Sequence, residues 1–265
     1  MISIVSSMHK RDVSLWLTSL SYQTASIEVV LVVYDDFSPP IGMQSDNGIE
    51  DYPLDIKIIQ VDKVDGPYPE AWLKNIGIKA ASHDVVCCTN IDIVYTEDFF
   101  AQVENSCKED TLVQATRFDT PEGTETRITG GNIVMDMPKG SSMNIVVDPS
   151  HDFLALSRAV GDCQAMRKED WEELTGYNES FVGWGGLDTD LECRAILAGK
   201  NIFTIGFAAN QDSGKRVSHY HIWHQRDINR IIKEGFANKE RLVDGLNGRE
   251  IQANSKWGEH GCVPV

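Results

Sequence analysis

The chain has 265 residues, 42% of them apolar and 24% charged. That is room for a substantial core and the make-up of a globular protein, so a fibrous, disordered or disulfide-stapled chain is excluded. Lys plus Arg is 24 against 40 for Asp plus Glu, a net charge of −16, and so acidic a chain lacks the basic footprint of nucleic-acid binding. The charge is uneven. Residues 215–249 hold 8 basic and 4 acidic side chains, which reads as a solvated helix face, with a phosphate-facing segment as the alternative. No apolar run reaches the roughly 20 residues that span a bilayer, so no transmembrane segment is expected. Residues 1–7 lack the basic start and long apolar stretch of a signal peptide. The six cysteines contain no CxxC pair, and the expectation is a soluble protein in a reducing, cytoplasm-like compartment.

The first third alternates strand and helix. Ile2 to Ser6 predicts a buried strand, and Val13, Trp16, Leu17 and Leu20 follow at helical spacing. Glu28 to Tyr34 is a β-branched strand cut off by Asp35-Asp36 and Ser38-Pro39-Pro40. Ile56 to Val61 is another strand, and Pro69 and Glu70 open a helix to about Ala81. Asp84 to Thr89 is apolar on both faces, as central parallel strands are. Thr96 is expected to cap the next helix, with Glu97 and Asp98 in its first turn. Residues 119–150 have weak periodicity and read as an excursion, a hairpin or loop, with Ile128 to Met135 as one strand. Glu169 to Leu174 predicts a short helix closed by Gly176. Leu191, Ala195 and Ala198 form a helical stripe closed by Gly199. Ile202 to Ile205 is a strand, and Ile228, Ile231 and Ile232 mark a last helix. Such alternation predicts a mostly parallel sheet with helices on both faces, whose ligands bind beyond the carboxyl ends of the strands. No linker divides the chain. One domain is expected over residues 1–245, with halves at 1–118 and 151–245 around the excursion, and a tail at 246–265.

Five constellations carry chemistry. Gly183-Trp184-Gly185-Gly186 is a glycine loop with an aromatic face, suited to the apolar side of a sugar. Asp188 and Asp190 follow it at a helix start, where Asp190 is read as structural and Asp188 as functional. Asn90-Ile91-Asp92 ends a buried strand, a place for a hard-cation ligand or for a turn-forming Asp. Three of the seven histidines fall within residues 219–224; His219 and His221 share a face if this is a strand, and His224 lies past a turn. Asp35 and Asp36 suit a base or ribose contact as well as a turn. Lys74 by itself reads as solvated.

Taken in order, these pieces resemble the nucleotide-sugar-dependent glycosyltransferases of the GT-A fold, over roughly residues 1–235. Ile2 to Ser7 is similar to the family's first strand, whose following loop borders the nucleoside, and implies a nucleotide contact at Ser6. Val32 to Ser38 resembles the VVDDGS segment, placing Asp35 and Asp36 at the base. Ala71 to Gly77 is similar to the A-x-x-R-N-x-G helix, with Lys74 for Arg. Asn90, Ile91 and Asp92 stand at the DxD metal motif, with Asn for the first Asp. Gly161 to Trp171, with Asp162, resembles the acceptor-side segment. Gly183 to Asp190 resembles the WGGEDxD loop of galactosyltransferase-like members, with Leu187 for Glu. His221 to His224 is similar to a late H-x-W-H element in which a His completes the metal shell.

The resemblance implies a single-domain α/β enzyme that moves a sugar from a nucleoside-diphosphate sugar, UDP-sugar first, to a hydroxyl of a glycan or glycoconjugate. It implies Mn²⁺ or Mg²⁺ held by Asp92 with His221 or His224. Ser6, Asp35, Asp36, Lys74, Asn90 and Ile91 would contact the nucleotide. Trp184, Gly185, Gly186 and Asp162 would contact sugar or acceptor, and Asp188 would be the base. A lone carboxylate base suggests inversion, with retention as the alternative. Two rival readings are an inactive nucleotide-sugar-binding module and a nucleotidyltransferase. The second would need a glycine-rich basic loop after the first strand, where Met8 to Arg11 is basic but has no glycine.

Overall fold

The computed structural model describes residues 1–9, 11–34, 52–63, 65–145, 160–206, 218–225, 227–248, 252–254 and 256–259. In chain order the elements are β1 (Ile2–Met8), α1 (Ser14–Ser21), β2 (Ile27–Tyr34), β3 (Asp55–Val61), α2 (Glu70–Ala80), β4 (Val85–Thr89), β5 (Ile93–Tyr95), α3 (Phe99–Ser106), β6 (Thr111–Ala115) and β7 (Arg117–Asp119). They continue with β8 (Glu125–Thr129), β9 (Asn132–Asp136), β10 (Asn144–Ile145), β11 (Val160–Arg167), α4 (Lys168–Glu173), α5 (Leu187–Leu197), β12 (Asn201–Ile205), β13 (His219–His221) and α6 (Ile228–Gly248).

A seven-stranded sheet runs β12-β6-β11-β4-β1-β2-β3. All its pairings are parallel except those of β11, which is antiparallel to both β4 and β6. The β-branched β2 shows why a strand buried on both faces reads as an unbroken apolar run. Val29, Leu31 and Val33 face the core under α1 and α3, while Val30 and Val32 face the opposite layer. That opposite layer holds α2, α4 and α5, through Ala71, Trp171, Leu174, Leu191 and Ala195. α2 lies so close to the sheet that a Cβ on Gly77 would come within 2.4 Å of a Val5 methyl. Only glycine admits this approach, which sets the second half of α2 against Val5 of β1 and Val32 of β2.

A smaller sheet runs β10-β7-β13-β5. In it β13 pairs antiparallel with β5 and parallel with β7, setting His221 opposite Ile93 and Asp119. The segment 125–136 is a hairpin, so the single strand expected at Ile128 to Met135 is in fact β8 and β9 folded back at Gly130-Gly131. Thr96 does not cap α3. The helix begins at Phe99 with Asp98 in the cap position, and the Thr96 hydroxyl donates to the Ser218 carbonyl instead. α6 extends over 21 residues, further than its three isoleucines indicate. Beyond it the chain docks again: Trp257 is buried against α2 and α4, and the Trp72 indole N–H donates to the Glu259 carbonyl.

Candidate metal centre and catalytic loop

β4 delivers its chain end at the turn Asn90-Ile91-Asp92. The Ile91 side chain packs into the core, so what it offers a ligand is its main chain. Asp92 is turned toward β13. Its Oδ2 lies 3.0 Å from His224 Nε2 and 3.6 Å from His221 Nε2, and the ligand atoms of the three residues fall within 4.8 Å of one another. Its Oδ1 is buried and has no hydrogen-bond partner. Two imidazoles and a carboxylate with an unspent oxygen make a donor set that fits a first-row divalent cation. Burial works against the Asp92 anion, but hydrogen bonds from His221 and His224 and the charges of His221 and Arg11 outweigh it and hold the carboxyl well below the usual range. Burial likewise opposes a charged His221, and its contacts with Asp119 and Asp92 overcome this and raise its pKa. His221 Nδ1 lies 3.1 Å from Asp119 Oδ1. A proton on Nδ1 directed at that carboxylate would make Nε2 the ligating nitrogen, the outer-shell device that orients metal-binding histidines.

His219 shares the strand but not the site. Its ring lies among Tyr95 and Phe99, and burial drives its pKa down to about 4, so it stays neutral. A second acidic group, Asp110, Asp170 and Glu173, already holds a cation. The Lys200 ammonium lies 2.6 Å from Asp170, 2.7 Å from Glu173 and 3.2 Å from Asp110.

A chain of polar contacts runs from the candidate metal centre to α2. Asp119 Oδ1 lies 2.9 Å from Arg117 Nε, and Arg117 NH1 donates to Asp162 Oδ2 at 2.6 Å. Asp162 Oδ1 accepts from Asn90 Nδ2 at 2.9 Å, and Asn90 Oδ1 accepts from Lys74 Nζ at 3.0 Å. Lys74 also pairs with Glu70 at 2.7 Å. Lys74 is only 1% exposed, so the expected solvated ammonium is not what the fold builds. Burial favours its neutral form, and the charges of Glu70 and Asp188 override this and raise its pKa. Asn90 thus stands where a second Asp would meet Asp162, and its amide serves both neighbours. Asp162 is spent in this chain rather than presented to an acceptor. Ser6 is likewise fully buried, its hydroxyl donating to the Thr89 carbonyl across β1 and β4. Asp35 and Asp36 lie outside the described residues.

The glycine loop is clamped by α6. Asn238, fully buried, directs its amide at the carbonyls of Val182, Trp184 and Gly185 at 3.2, 3.0 and 2.8 Å. Glu234 accepts from the Trp184 main-chain N–H at 2.8 Å. The Trp184 ring packs over Gly235 yet stays 48% exposed, leaving one face for a ligand. Gly186, at φ +83°, is the N-cap of α5, and a Cβ there would meet the Phe181 ring at 2.8 Å. Asp188, half-buried in the first turn, has its carbonyl fixed by Gln164 Nε2 at 3.1 Å. Asp190 faces the other way, paired with Arg194 at 2.8 Å, which is the structural role expected of it. An open cleft of about 400 Å³ beside the metal centre is lined by Asp119, Thr120, His221, Trp223, His224, Gln225 and Ile228.

Sequence reading missed Asp119, Arg117, Glu70 and the role of Arg11, whose NH1 lies 2.7 Å from Asp92 Oδ2. Arg11 was visible only as part of a basic run. Asp119 carried no signal, because its partner on β13 is about a hundred residues away.

Known proteins are similar to this chain in part of its sequence and in its fold. A family model described as the N-terminal domain of galactosyltransferase matches residues 141–222, which include the glycine loop, Asp188 and His221. Mouse beta-1,4-galactosyltransferase 6 is 28% identical over 97 residues, 36% of this chain and 24% of that protein. The matched part thus spans about a quarter of the length of the curated relatives. Among solved structures, GalNAc-T7 with UDP, GalNAc and Mn²⁺ superposes with a TM-score of 0.60 at 14% identity, covering 92% of this chain and 47% of that one. Residues 1–349 of S. aureus TarS in complex with UDP give 0.54 at 15% identity, covering 94% and 71%. No helix among the described residues is long and apolar enough to cross a membrane. The chain has the GT-A fold of nucleotide-sugar-dependent glycosyltransferases, and its second half is similar to a galactosyltransferase domain.

Proposed function

We propose that the protein is a metal-dependent glycosyltransferase that moves a sugar from a nucleoside-diphosphate sugar, UDP-sugar first, to a hydroxyl of a glycan or glycoconjugate. The observation that carries this reading is the convergence of Asp92, His221 and His224 on the turn after β4, within reach through Asn90 and Lys74 of the loop bearing Asp188. UDP and Mn²⁺ in the GalNAc-T7 structure and UDP in the TarS complex support the donor and the cation. A cation held by these three side chains would neutralise charge growing on the leaving diphosphate. Asp188 takes the proton of the attacking hydroxyl. A single carboxylate base acting there would give inversion at the anomeric carbon. Trp184 offers its open face to a sugar ring, and the Lys74 ammonium holds Asn90 in place while its charge bears on Asp188. Five described cysteines are buried free thiols, consistent with a reducing, cytoplasm-like compartment.

Titration calorimetry with UDP, GDP and TDP, each with and without Mn²⁺, tests the donor site. Metal-dependent binding of one nucleotide, lost in Asp92→Ala, is expected. Asp188→Asn is expected to keep that binding and lose about 10²- to 10⁴-fold in sugar transfer, the usual worth of a general base. Binding of no nucleotide, or turnover indifferent to Asp188, would overturn the reading.

A further inference from the structure

Arg11 lies in the connection between β1 and α1. Its side chain is 47% exposed, yet its NH1 donates to Asp92 Oδ2 at 2.7 Å. The same oxygen is 3.0 Å from His224 Nε2. Arg11 and His224 thus both bear on Oδ2, while Oδ1 is left bare in the interior. Arg11 is also among the charges that keep Asp92 ionised. The guanidinium therefore supplies the positive charge that a divalent cation would bring, at the carboxylate the cation would use. A cation held by Asp92, His221 and His224, through Oδ2 or the bare Oδ1, would stand beside the guanidinium, and the two positive charges repel. A long, half-exposed arginine side chain can leave without unpacking any core, and its flat fork of donors suits phosphate oxygens.

We infer that Arg11 is a placeholder for the divalent cation. It neutralises Asp92 in the ligand-free protein, gives up Oδ2 when the cation arrives and turns to the donor diphosphate. This rests on the metal-centre reading above. Its consequence is a coupling between the two ligands. Cation alone must displace Arg11 and binds weakly, whereas a diphosphate gives the guanidinium a second partner and so tightens the cation, with the reciprocal effect required by linkage.

The test is Mn²⁺ binding, read from the paramagnetic resonance signal of the free ion, with and without UDP. It uses wild-type protein, Arg11→Ala, Arg11→Gln, Arg11→Lys and Asp92→Ala, with folding checked by thermal melts. Both neutral variants should bind Mn²⁺ alone about tenfold more tightly, the order of one nearby charge seen through a largely aqueous path. In the same variants UDP should tighten Mn²⁺ by correspondingly less. Arg11→Lys, which keeps the charge, should stay near wild type. Equal Mn²⁺ affinity in wild type and the neutral variants, with binding lost in Asp92→Ala, would remove the placeholder and leave the metal centre standing. Absence of Mn²⁺ binding in every variant, with or without UDP, would remove both.

Discussion

Asn90 shows how one residue's chemistry is set by its neighbours. The resemblance to the DxD motif makes an asparagine look like a loss. In the fold its amide donates to Asp162 Oδ1 at 2.9 Å and its carbonyl accepts from Lys74 at 3.0 Å. A carboxylate can accept from Lys74 but cannot donate to Asp162. Asn90→Asp should therefore destabilise the protein by about 2 kcal/mol at pH 7, the cost of a lost charge-assisted bond and two carboxylates in contact. The deficit should shrink near pH 4, where the pair can share a proton. Urea denaturation at the two pH values measures it, and an unchanged midpoint at pH 7 would mean that the Asn90–Asp162 bond is not made. The same scale explains why Asp188 and Asp190 part company. Two residues along a helix is a rotation of about 200°, so Asp190 turns to Arg194 while Asp188 sits where its charge reaches Lys74.

At the scale of elements, α6 is the support of the glycine loop. Its Asn238 is fully buried and satisfies three loop carbonyls, and Gly235 admits the Trp184 ring. Asn238→Ala removes the donor to those carbonyls, at a cost of about 1–2 kcal/mol. Since Trp184 and the start of α5 move with that loop, sugar transfer should fall at least tenfold while Mn²⁺ binding at Asp92, on another element, stays as it was. Activity assays and Mn²⁺ titrations of the one variant read both, and a parallel loss of metal binding would show that the loop and the metal turn are not separable. This support was hidden in the sequence. The glycine loop and the first turn of α5 are local patterns and were legible, as were β1, β2, β4 and α2, whose apolar periods are long. β5, β7 and β13 have three residues each, too few for a period, and they exist only through pairings between distant segments. His219 and His221 were legible as sharing a face, but not as one packed among aromatic rings and one turned to Asp92, because that depends on what β5 and β7 bring alongside.

At the scale of the whole molecule, a buried carboxylate far from the candidate site ties the layers together. Glu28 on β2 is 3% exposed. It accepts from the Ser3 hydroxyl of β1 at 2.5 Å and from the Ser82 main chain and hydroxyl after α2 at 2.8 and 2.7 Å, and it pairs with Lys57 of β3 at 3.3 Å. Three strands and the α2–β4 connection thus meet on one side chain. Burial alone would raise its pKa, but these hydrogen bonds outweigh burial and bring it from 4.5 down to about 2. The folded protein therefore takes up this proton less readily than the unfolded chain. The stability Glu28 contributes is complete above pH 4.5 and is lost as the pH falls from there toward 2. Glu28→Gln, nearly the same shape without the charge, should cost about 2 kcal/mol at pH 7. The gap to wild type should narrow by about half at pH 3, where the wild-type carboxylate has begun to lose its advantage over the unfolded chain. Denaturant titrations across this range give the gap directly. A difference that stays constant from pH 7 to pH 3 would mean that Glu28 acts through shape and hydrogen-bond count alone, and that the acid sensitivity of so acidic a chain arises from its other carboxylates.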